Sequence, residues 1–472
     1  MSRPLKRILF ILGGAVGLLA LLAWAALRLV DINRYRPQLE AAASDALGMD
    51  VRFGRLGMGF FPSLYLTAED GRILGEQGAM VASTKSARLW IRLFPLLGGK
   101  FRLGKIELTQ PQLSIERDAK GVVNIGRLSK AVGLLSTLDR GGLTLSDGTL
   151  VYLDRRSGEG FQATGFHVSA HDIRLRSGGL LKDASVRAEI ACSGIRTKNL
   201  SVSALRISVD GKDGVFQLDP VTMAIFGGRA EGSLRVDLTG PVPLYQMHCS
   251  LPRFRIEEFL KILSPKASAS GDMDFSASLS MKGSTASQVL QTAAGKVSLR
   301  GEKLSLQGND IDGQLARFKS SQNFNLVDVG AFFFAGPLGI AVTKGYNFAS
   351  LFEGSGGNSN IGTLLSEWRV ERGVALATDV AMATPRNRIA LQGGLDFVHG
   401  RFADVTVAVI DATGCARVRQ TITGSFAQPV VEKPRILMSL AGPMIKLYGT
   451  TRGLFPAAPC EVFYAGSVRP PK

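Results

Sequence analysis

Alternation of apolar and polar residues along most of the chain is the feature that most limits its fold. Apolar side chains take every second position in the segments 186–192, 234–238 and 405–409. A two-residue period gives a strand one face that packs and one that meets water. Turn signals such as Asp70-Gly71 break these runs. The 472 residues therefore predict a mainly β protein, without the βαβ rhythm of a nucleotide-binding fold.

The start of the chain contains a segment long enough to cross a membrane. Residues 8–27 carry no charged side chain, and at about 1.5 Å rise per residue they reach about 30 Å, the thickness of one hydrocarbon core. Three basic residues precede this run and, by the positive-inside rule, hold the N-terminus in the cytoplasm. The predicted anchor includes Ile8, Leu12, Val16, Leu19, Leu22 and Leu27.

A cleaved signal peptide is the alternative for this segment. Ala23-Trp24-Ala25 resembles a cleavage site, but the apolar run is longer than the ~7–15 residues of a signal core. Apolar residues continue at helical spacing through residues 31–47, and Gly48 is placed to end that helix. We therefore favour an uncleaved anchor, with the rest of the chain on the far side of the membrane.

Only a few short helices are expected within the β-rich body. Residues 255–263 place apolar side chains on one helical face, residues 286–294 follow a capping Ser or Thr, and residues 361–368 form a third candidate. The apolar stretch 332–340 is too short to span a bilayer and contains Pro337. It is predicted to be a buried strand pair, with a membrane-dipping loop as the alternative.

The net charge of +17 favours an anionic membrane surface, or charges that simply solvate the surface, over nucleic acid as a partner. Lys and Arg residues are scattered singly along the predicted strands. The chain has no arginine-rich helix and no aromatic RNA-binding signature.

No pattern of residues indicates a catalytic, metal or cofactor site. His167 and His171 are four apart in a strand-like stretch, where about 13 Å would separate them, too far to share one ion. Residues 99–105 have the spacing of a phosphate-binding loop, but Ile106 stands where that loop needs Ser or Thr. No nucleophile elbow or zinc-protease motif occurs. We predict a protein that is not an enzyme and binds no cofactor.

The four cysteines contain no CxxC pair, which excludes a zinc ribbon or a thioredoxin-type motif. In the oxidising compartment that the topology predicts, Cys415 and Cys460 are the best candidates for a disulfide that would fasten the C-terminal tail. Cys192 and Cys249 could form a second bridge. The alternative is that these residues are unpaired, buried thiols.

Two stretches near the N-terminus resemble the AsmA family of envelope proteins. Residues 31–51, DINRYRPQLEAAASDALGMDV, have the family's Asp-x-Asn-x-Tyr start, short helix and Gly before the first strand. Residues 93–124, LFPLLGGKFRLGKIELTQPQLSIERDAKGVVN, are similar to its Leu-x-Pro-Leu-Leu pattern, followed by a hydrophobic strand that ends in Pro111. Arg117 and Asn124 then match the last part of this pattern. The C-terminal third, from Phe324 onward, resembles the family's C-terminal region.

The resemblance implies a fold, a location and a role. The fold is mainly β: a single N-terminal transmembrane helix followed by a long, curved, mostly antiparallel β-sheet or groove with a few short helices. The implied location is the inner membrane, with a single pass and a periplasmic body, and the implied role is outer-membrane maintenance. Larger relatives look like bridge-like lipid carriers whose curved sheets line a hydrophobic channel.

These expectations divide the chain into a cytoplasmic basic N-terminus (1–7), the anchor (8–30), an AsmA-like N-terminal β region (31–140), a middle β-rich region (141–280) and an AsmA-like C-terminal region (281–472). The expected function is binding or passing phospholipid or lipopolysaccharide along an apolar groove, with Val236 and Val407 as groove candidates. A closed sandwich core would show the same alternation. The alternative function is a non-enzymatic scaffold or assembly factor for outer-membrane protein insertion or targeting, which would bind an envelope protein by strand addition.

Overall fold

The structure is a computed structural model. It describes residues 31–59, 63–75, 78–92, 102–125, 138, 141–174, 182–263, 269–308, 310–321, 333, 356–436 and 460–471. The predicted anchor lies outside these residues, as do residues 93–97 of the second AsmA-like motif and nearly all of the apolar stretch 332–340. Among the described residues, no helix has the length and apolar character needed to cross a membrane.

The chain divides into two compact units, and the first comprises Met1–Lys198 and Ser203–Phe216. Its described strands are β1 (Asp50–Arg52), β2 (Arg55–Gly59), β3 (Tyr65–Leu74), β4 (Met80–Ile91), β5 (Leu103–Thr109), β6 (Gln112–Arg117), β7 (Gly141–Asp154), β8 (Gly160–Arg174), β9 (Ser185–Thr197) and most of β10 (Ser201–Lys212). The pairs from β1 to β6 and from β7 to β9 are antiparallel, whereas β5 and β6 both run parallel to β7.

A helical segment opens the described part of the first unit. A 3-10 turn at Ile32–Tyr35 leads into α1 (Arg36–Leu47), which ends at Gly48 in the left-handed conformation with φ of 71°. Glycine adopts this conformation without the steric cost that a Cβ atom brings. The helix predicted over residues 31–47, and its glycine cap, are thereby confirmed.

Side chains of this helical segment cover the first edge of the sheet. The Asn33 side chain imitates a neighbouring strand: its Oδ1 accepts a hydrogen bond from Leu56 N at 2.9 Å and its Nδ2 donates to Leu56 O at 3.2 Å. Two further side chains accept from backbone amides of the same edge, Glu40 from Phe53 N at 2.8 Å and Ser44 from Val51 N at 2.9 Å. Backbone groups that strand addition would use are therefore already bonded.

The second unit comprises Asn199–Val202 and Gln217–Lys472. Its described strands are most of β11 (Val215–Ile225), β12 (Gly228–Asp237), β13 (Leu244–Arg255), β14 (Ala269–Ser270), β15 (Asp272–Lys282), β16 (Ala294–Gln307), β17 (Asn358–Glu371), β18 (Val374–Ala383), β19 (Arg388–Asp396), β20 (Arg401–Ile410), β21 (Ala416–Gly424), β22 (Pro429–Val431) and β23 (Arg435–Ile436). The long strands β12, β13 and β15 to β21 form an antiparallel meander. The prediction of a mainly β, mostly antiparallel protein is confirmed.

Three short helices accompany the strands of the second unit: α2 (Ile256–Leu263), α3 (Ala286–Gln291) and α4 (Ile311–Ser321). The first two confirm the helices predicted at 255–263 and 286–294. The cap of α3 is Thr285, whose Oγ1 accepts a hydrogen bond from Gln288 N at 3.3 Å. The helix α4 was not predicted from the sequence.

The helix predicted at residues 361–368 is wrong, because these residues belong to the strand β17. Ile361, Leu364 and Trp368 have helix-like spacing, but all three pack against one face of the sheet. Leu365 faces the other side and is also buried, at 3% exposure, in a separate cluster. A strand covered on both faces loses the simple alternation that marks a half-exposed strand.

The second unit has apolar clusters on both faces of its meander. The larger cluster extends from β13 to β21 and includes buried side chains of α2 and α4. The smaller one lies on the opposite face of β17 to β21, where Tyr464 and Val468 of the C-terminal tail cover Leu365 and several alanines. Both faces of the sheet are thus covered in the C-terminal half of this unit.

Candidate functional site

One end of the larger apolar face in the second unit is only partly covered. Strand pairing brings Leu234, Met247 and Leu279 into one row and Val236, Tyr245 and Met281 into the next. Each of these six side chains is half-buried, and together they form what we call the open rows. Polar Gln246 and His248 alternate with them on β13 and are exposed. The open rows therefore offer apolar surface that the described residues leave partly accessible.

Toward the other end of the same strands, this face is closed by α2. Ile256, Phe259 and Leu260 of that helix are fully buried against the sheet. Phe259 contacts Phe226 and Phe254, with ring centroids 5.4 and 6.4 Å apart. The outer side of the helix carries charged residues, of which Glu258 accepts a hydrogen bond from Lys261 at 2.8 Å. The helix thus ends the accessible part of the apolar face.

The first unit has comparable half-buried apolar rows on β7, β8 and β9. Leu145, Val168 and Ile190 are aligned across the three strands. Tyr152 and Phe161 are also paired, and their rings stack with centroids 5.6 Å apart. All five side chains are half-buried, whereas a fully buried cluster in this unit includes few residues, among them the side chains of Ile91, Leu103, Leu138, Ala170 and Ile173. Exposed apolar surface is therefore present in each unit separately.

Charged side chains on the strands of the first unit pair with one another. Lys105 Nζ donates to Glu107 Oε1 at 2.7 Å, and this hydrogen bond lowers the pKa of the Glu107 carboxyl group. Arg187 likewise donates to Asp172 and lowers the pKa of that carboxyl group. These ion pairs are solvent-accessible, and because water screens such pairs they contribute little to stability. Their main effect is to keep this surface polar and hydrated.

The two predicted groove residues occupy different environments. Val236 belongs to the open rows and keeps part of its surface exposed. Val407 on β20 is fully buried in the larger apolar cluster, where no ligand reaches it without moving the core. Neighbours of Val236 on β13 and β15, chiefly Tyr245 and Met247, were not singled out from the sequence. The alternation of Tyr245, Met247 and Cys249 with polar residues was the signal that could have identified them.

The predicted disulfide residues meet in the structure. Cys415 and Cys460 form a disulfide with their Cα atoms 6.0 Å apart. The second bridge considered from the sequence is wrong, because Cys192 and Cys249 are both free thiols. Burial raises the pKa of the Cys249 thiol, which keeps it protonated and unreactive near neutral pH.

The two histidines four residues apart lie on β8, in agreement with the strand predicted for them. Both are exposed, and His167 Nδ1 accepts a hydrogen bond from Asp147 N at 3.3 Å. His171 Nε2 contacts Ser169 Oγ at 2.9 Å. In the part of the chain that the structure describes, no cluster of three or more His, Cys, Asp or Glu side chains has the arrangement of a metal site.

Comparison with models of protein families identifies a family for this chain. A sequence model of the AsmA family matches residues 1–132 and 169–330, which is more than half of the chain. The matched residues include the helical segment that covers the first sheet edge and the open rows of the second unit. No curated protein matches the chain.

Proposed function

This chain belongs to the AsmA family, and on that premise we propose that it binds or passes phospholipid or lipopolysaccharide along partly exposed apolar sheet faces in the cell envelope. Membership of the family indicates a protein of the cell envelope that is related to the outer membrane. The binding or passing of lipid is our proposal. In this role the protein would take part in outer-membrane maintenance.

The observation that carries the proposal is the pair of open rows. Six apolar side chains on three neighbouring strands are half-buried, beside a part of the same face where a helix covers the sheet completely. Burying a hydrocarbon chain against such a surface is favourable by roughly 0.8 kcal/mol per CH₂ group. A ligand with several methylene groups could therefore bind without any polar contact to its tail.

The proposed role is non-enzymatic and needs no cofactor. Acyl chains would be held by the hydrophobic effect, which is non-directional and scales with the apolar area removed from water. The lipid could then shift between neighbouring rows without breaking specific bonds. Handling of this kind needs an extended apolar surface and does not need a reactive side chain.

We further propose that residues 8–30 anchor the protein in the inner membrane, with the N-terminus in the cytoplasm and the body in the periplasm. The support is the uncharged run at residues 8–27 after three basic residues. The short distance in sequence between this run and the helical segment at Ile32–Leu47 would keep the first sheet edge near the donor membrane.

Site-specific photo-crosslinking in living cells tests the lipid role. A photoreactive residue at Val236 or at Met247 should yield lipid adducts, detected by mass spectrometry of the purified protein. Gln246 is next to Met247 on β13, and its position falls between the row of Val236 and the row of Met247. Its side chain points to the opposite, polar face of the sheet. The same photoreactive residue at position 246 is therefore the matched control. We expect no lipid adduct at Gln246.

The alternative role as an assembly factor makes a different prediction for the same experiment. A reproducible protein adduct at Val236 and Met247, with no lipid adduct, would replace lipid handling by protein binding. Equal lipid labelling at Gln246 would mean that lipid contacts the body without selectivity, which also contradicts the proposal.

A further inference from the structure

A cleft of about 1080 Å³ lies on the outer face of the second unit, beside the C-terminal tail. Its floor is formed by β16, β17 and β18, and one wall is formed by residues 467–471. The floor includes the apolar side chains of Leu365 and Ala383. Leu365 belongs to the smaller apolar cluster under the tail, and Ala383 packs against that cluster.

The cleft is lined by more positive than negative charge. Arg300, Lys303 and Arg469 line it, against a single carboxylate, that of Glu302. Arg300 is 3.6 Å from Glu367 of β17, and both side chains are well exposed. Lys303 and Arg469 have no carboxylate partner among the described residues. Two cations are therefore available to an anionic ligand in this cleft.

Lys303 is directed into the cleft by an irregular backbone. Its φ is 53°, in the left-handed region that non-glycine residues seldom adopt. Gly301 and Leu304 on either side are both buried toward the core, so Glu302 and Lys303 face outward one after the other. Gly362 of β17 also lines the cleft, between Ile361 and Thr363, which pair with Leu304 and Glu302. Since glycine has no side chain, this position leaves the floor of the cleft open.

The backbone immediately before Arg469 is held by a network around the tail. The neighbouring Val468 is 3% exposed, and its carbonyl oxygen accepts a hydrogen bond from Arg388 at 3.0 Å. Val468 N donates to the Tyr464 hydroxyl group at 3.0 Å, and this hydroxyl group donates to Asp379 at 2.5 Å. The disulfide at Cys460 fastens the start of the tail. The Arg469 side chain thus extends from the tail directly after Val468, whose backbone is held by hydrogen bonds.

From this arrangement we propose that the cleft binds an anionic phosphoryl group through Lys303, Arg469 and Arg300. Cationic side chains that converge on a cleft bind phosphate oxygens through charge-assisted hydrogen bonds. The apolar floor suits a phosphoryl group attached to a small organic part better than a free ion. The site is separate from the proposed acyl-chain surface, since none of the six side chains of the open rows lines the cleft.

Titration calorimetry of the full chain in an uncharged detergent tests this site. The probes are sn-glycerol 3-phosphate, inorganic phosphate and glycerol, none of which carries an acyl chain. We expect both phosphate compounds to bind and glycerol not to bind. Affinity at least tenfold higher for glycerol phosphate would indicate a lipid headgroup as the natural source, and equal affinity would indicate free phosphate. No heat from either phosphate compound would overturn the proposal.

Two variants localise the binding. Lys303→Asn removes the charge and keeps a residue that tolerates positive φ, and Arg469→Gln removes the charge on the tail. The combined variant should weaken phosphate binding at least tenfold. Arg369→Gln is the matched control, because this exposed arginine is on β17 but does not line the cleft. Equal affinity in the combined variant and the control would contradict the assignment. Probes without acyl chains make this result independent of the photo-crosslinking outcome.

Discussion

At the scale of single residues, Asp396 is a carboxylate held by several hydrogen bonds. It lies at the end of β19 and only 7% of its side chain is exposed. Its Oδ2 accepts hydrogen bonds from His399 Nδ1 at 2.8 Å and Arg401 Nε at 3.2 Å. Burial alone would raise the pKa of this carboxyl group, but the hydrogen bonds from His399 and Arg401 outweigh burial and lower the pKa. The ionised form therefore stabilises the turn between β19 and β20.

Replacing Asp396 by Asn should lower the free energy of unfolding by roughly 1–3 kcal/mol at pH 7, because an amide nitrogen cannot accept the two hydrogen bonds at Oδ2. A carboxyl group with a lowered folded-state pKa stabilises fully above its unfolded pKa of about 3.9. That contribution is lost as the pH falls through the folded-state pKa. Denaturant unfolding at pH 7 and pH 3 measures the difference.

The control for this variant is Asp404→Asn, at an exposed position with φ of 49° where Asn is well tolerated. We expect a change near zero for the control at both pH values. A gap between wild type and Asp396→Asn that is as large at pH 3 as at pH 7 would mean that the carboxylate charge is not what stabilises the turn.

Sequence alternation identifies which residues share a face, but it does not tell whether that face is covered. Val236 and Val407 have equivalent patterns, yet one is half-buried and the other is fully buried. The difference depends on segments distant in sequence, since Ile311 of α4 and Phe333 belong to the same cluster as Val407. The residues around Val236 and Val407 in the sequence therefore do not show whether a distant segment covers the face.

At the scale of elements, the helical segment Ile32–Leu47 explains part of the AsmA-like motif after the anchor. Asn33 pairs with both backbone groups of Leu56, and Arg36 donates to Gly54 O at 2.9 Å. These side chains replace a strand at an edge that would otherwise present unpaired backbone groups. The sequence predicted the helix and its Gly48 cap, but not this second role, because the partners are backbone atoms about 18 to 23 residues away.

Changing Asn33 to Ala should destabilise the first edge of the sheet by about 1–2 kcal/mol, since Leu56 N and Leu56 O lose their partner. Hydrogen exchange at the Leu56 amide should become roughly five- to thirtyfold faster, in line with this energy. Gln38→Ala is the matched control, because this residue is exposed and lies on the same helix. An unchanged exchange rate at Leu56 would show that water or another group replaces Asn33 without cost.

The segment at residues 361–368 shows where pattern-based prediction of elements fails. Here Leu365 is buried under the tail while its neighbours Leu364 and Ser366 are buried toward the larger cluster. The cover on the second face comes from residues about 100 positions later, such as Val468. Half-exposed strands such as β9 and β12 show clear alternation and were predicted correctly, because one of their faces remains in contact with water.

At the scale of the whole molecule, the disulfide connects the fold to the proposed location of the body. Cys415 is buried beside β21, and Cys460 begins the tail that covers the smaller apolar cluster. Such a bridge persists in an oxidising compartment and is reduced in the cytosol. By restricting the unfolded chain, a disulfide typically contributes about 2–4 kcal/mol to stability. The redox state of these two residues therefore reports both the fold and the topology.

Counting free thiols in acid-quenched cells tests the disulfide and the proposed periplasmic location together. When the full chain is denatured and alkylated without reductant, we expect two labelled cysteines, Cys192 and Cys249, and four after reduction. Cys415→Ser should give three in the unreduced sample, because Cys460 loses its partner. Four labelled thiols in the unreduced wild type would contradict the bridge and a periplasmic body alike. Two labelled thiols that include Cys415 or Cys460 would mean that the bridge pairs different residues, which would leave the tail unfastened beside the phosphoryl cleft.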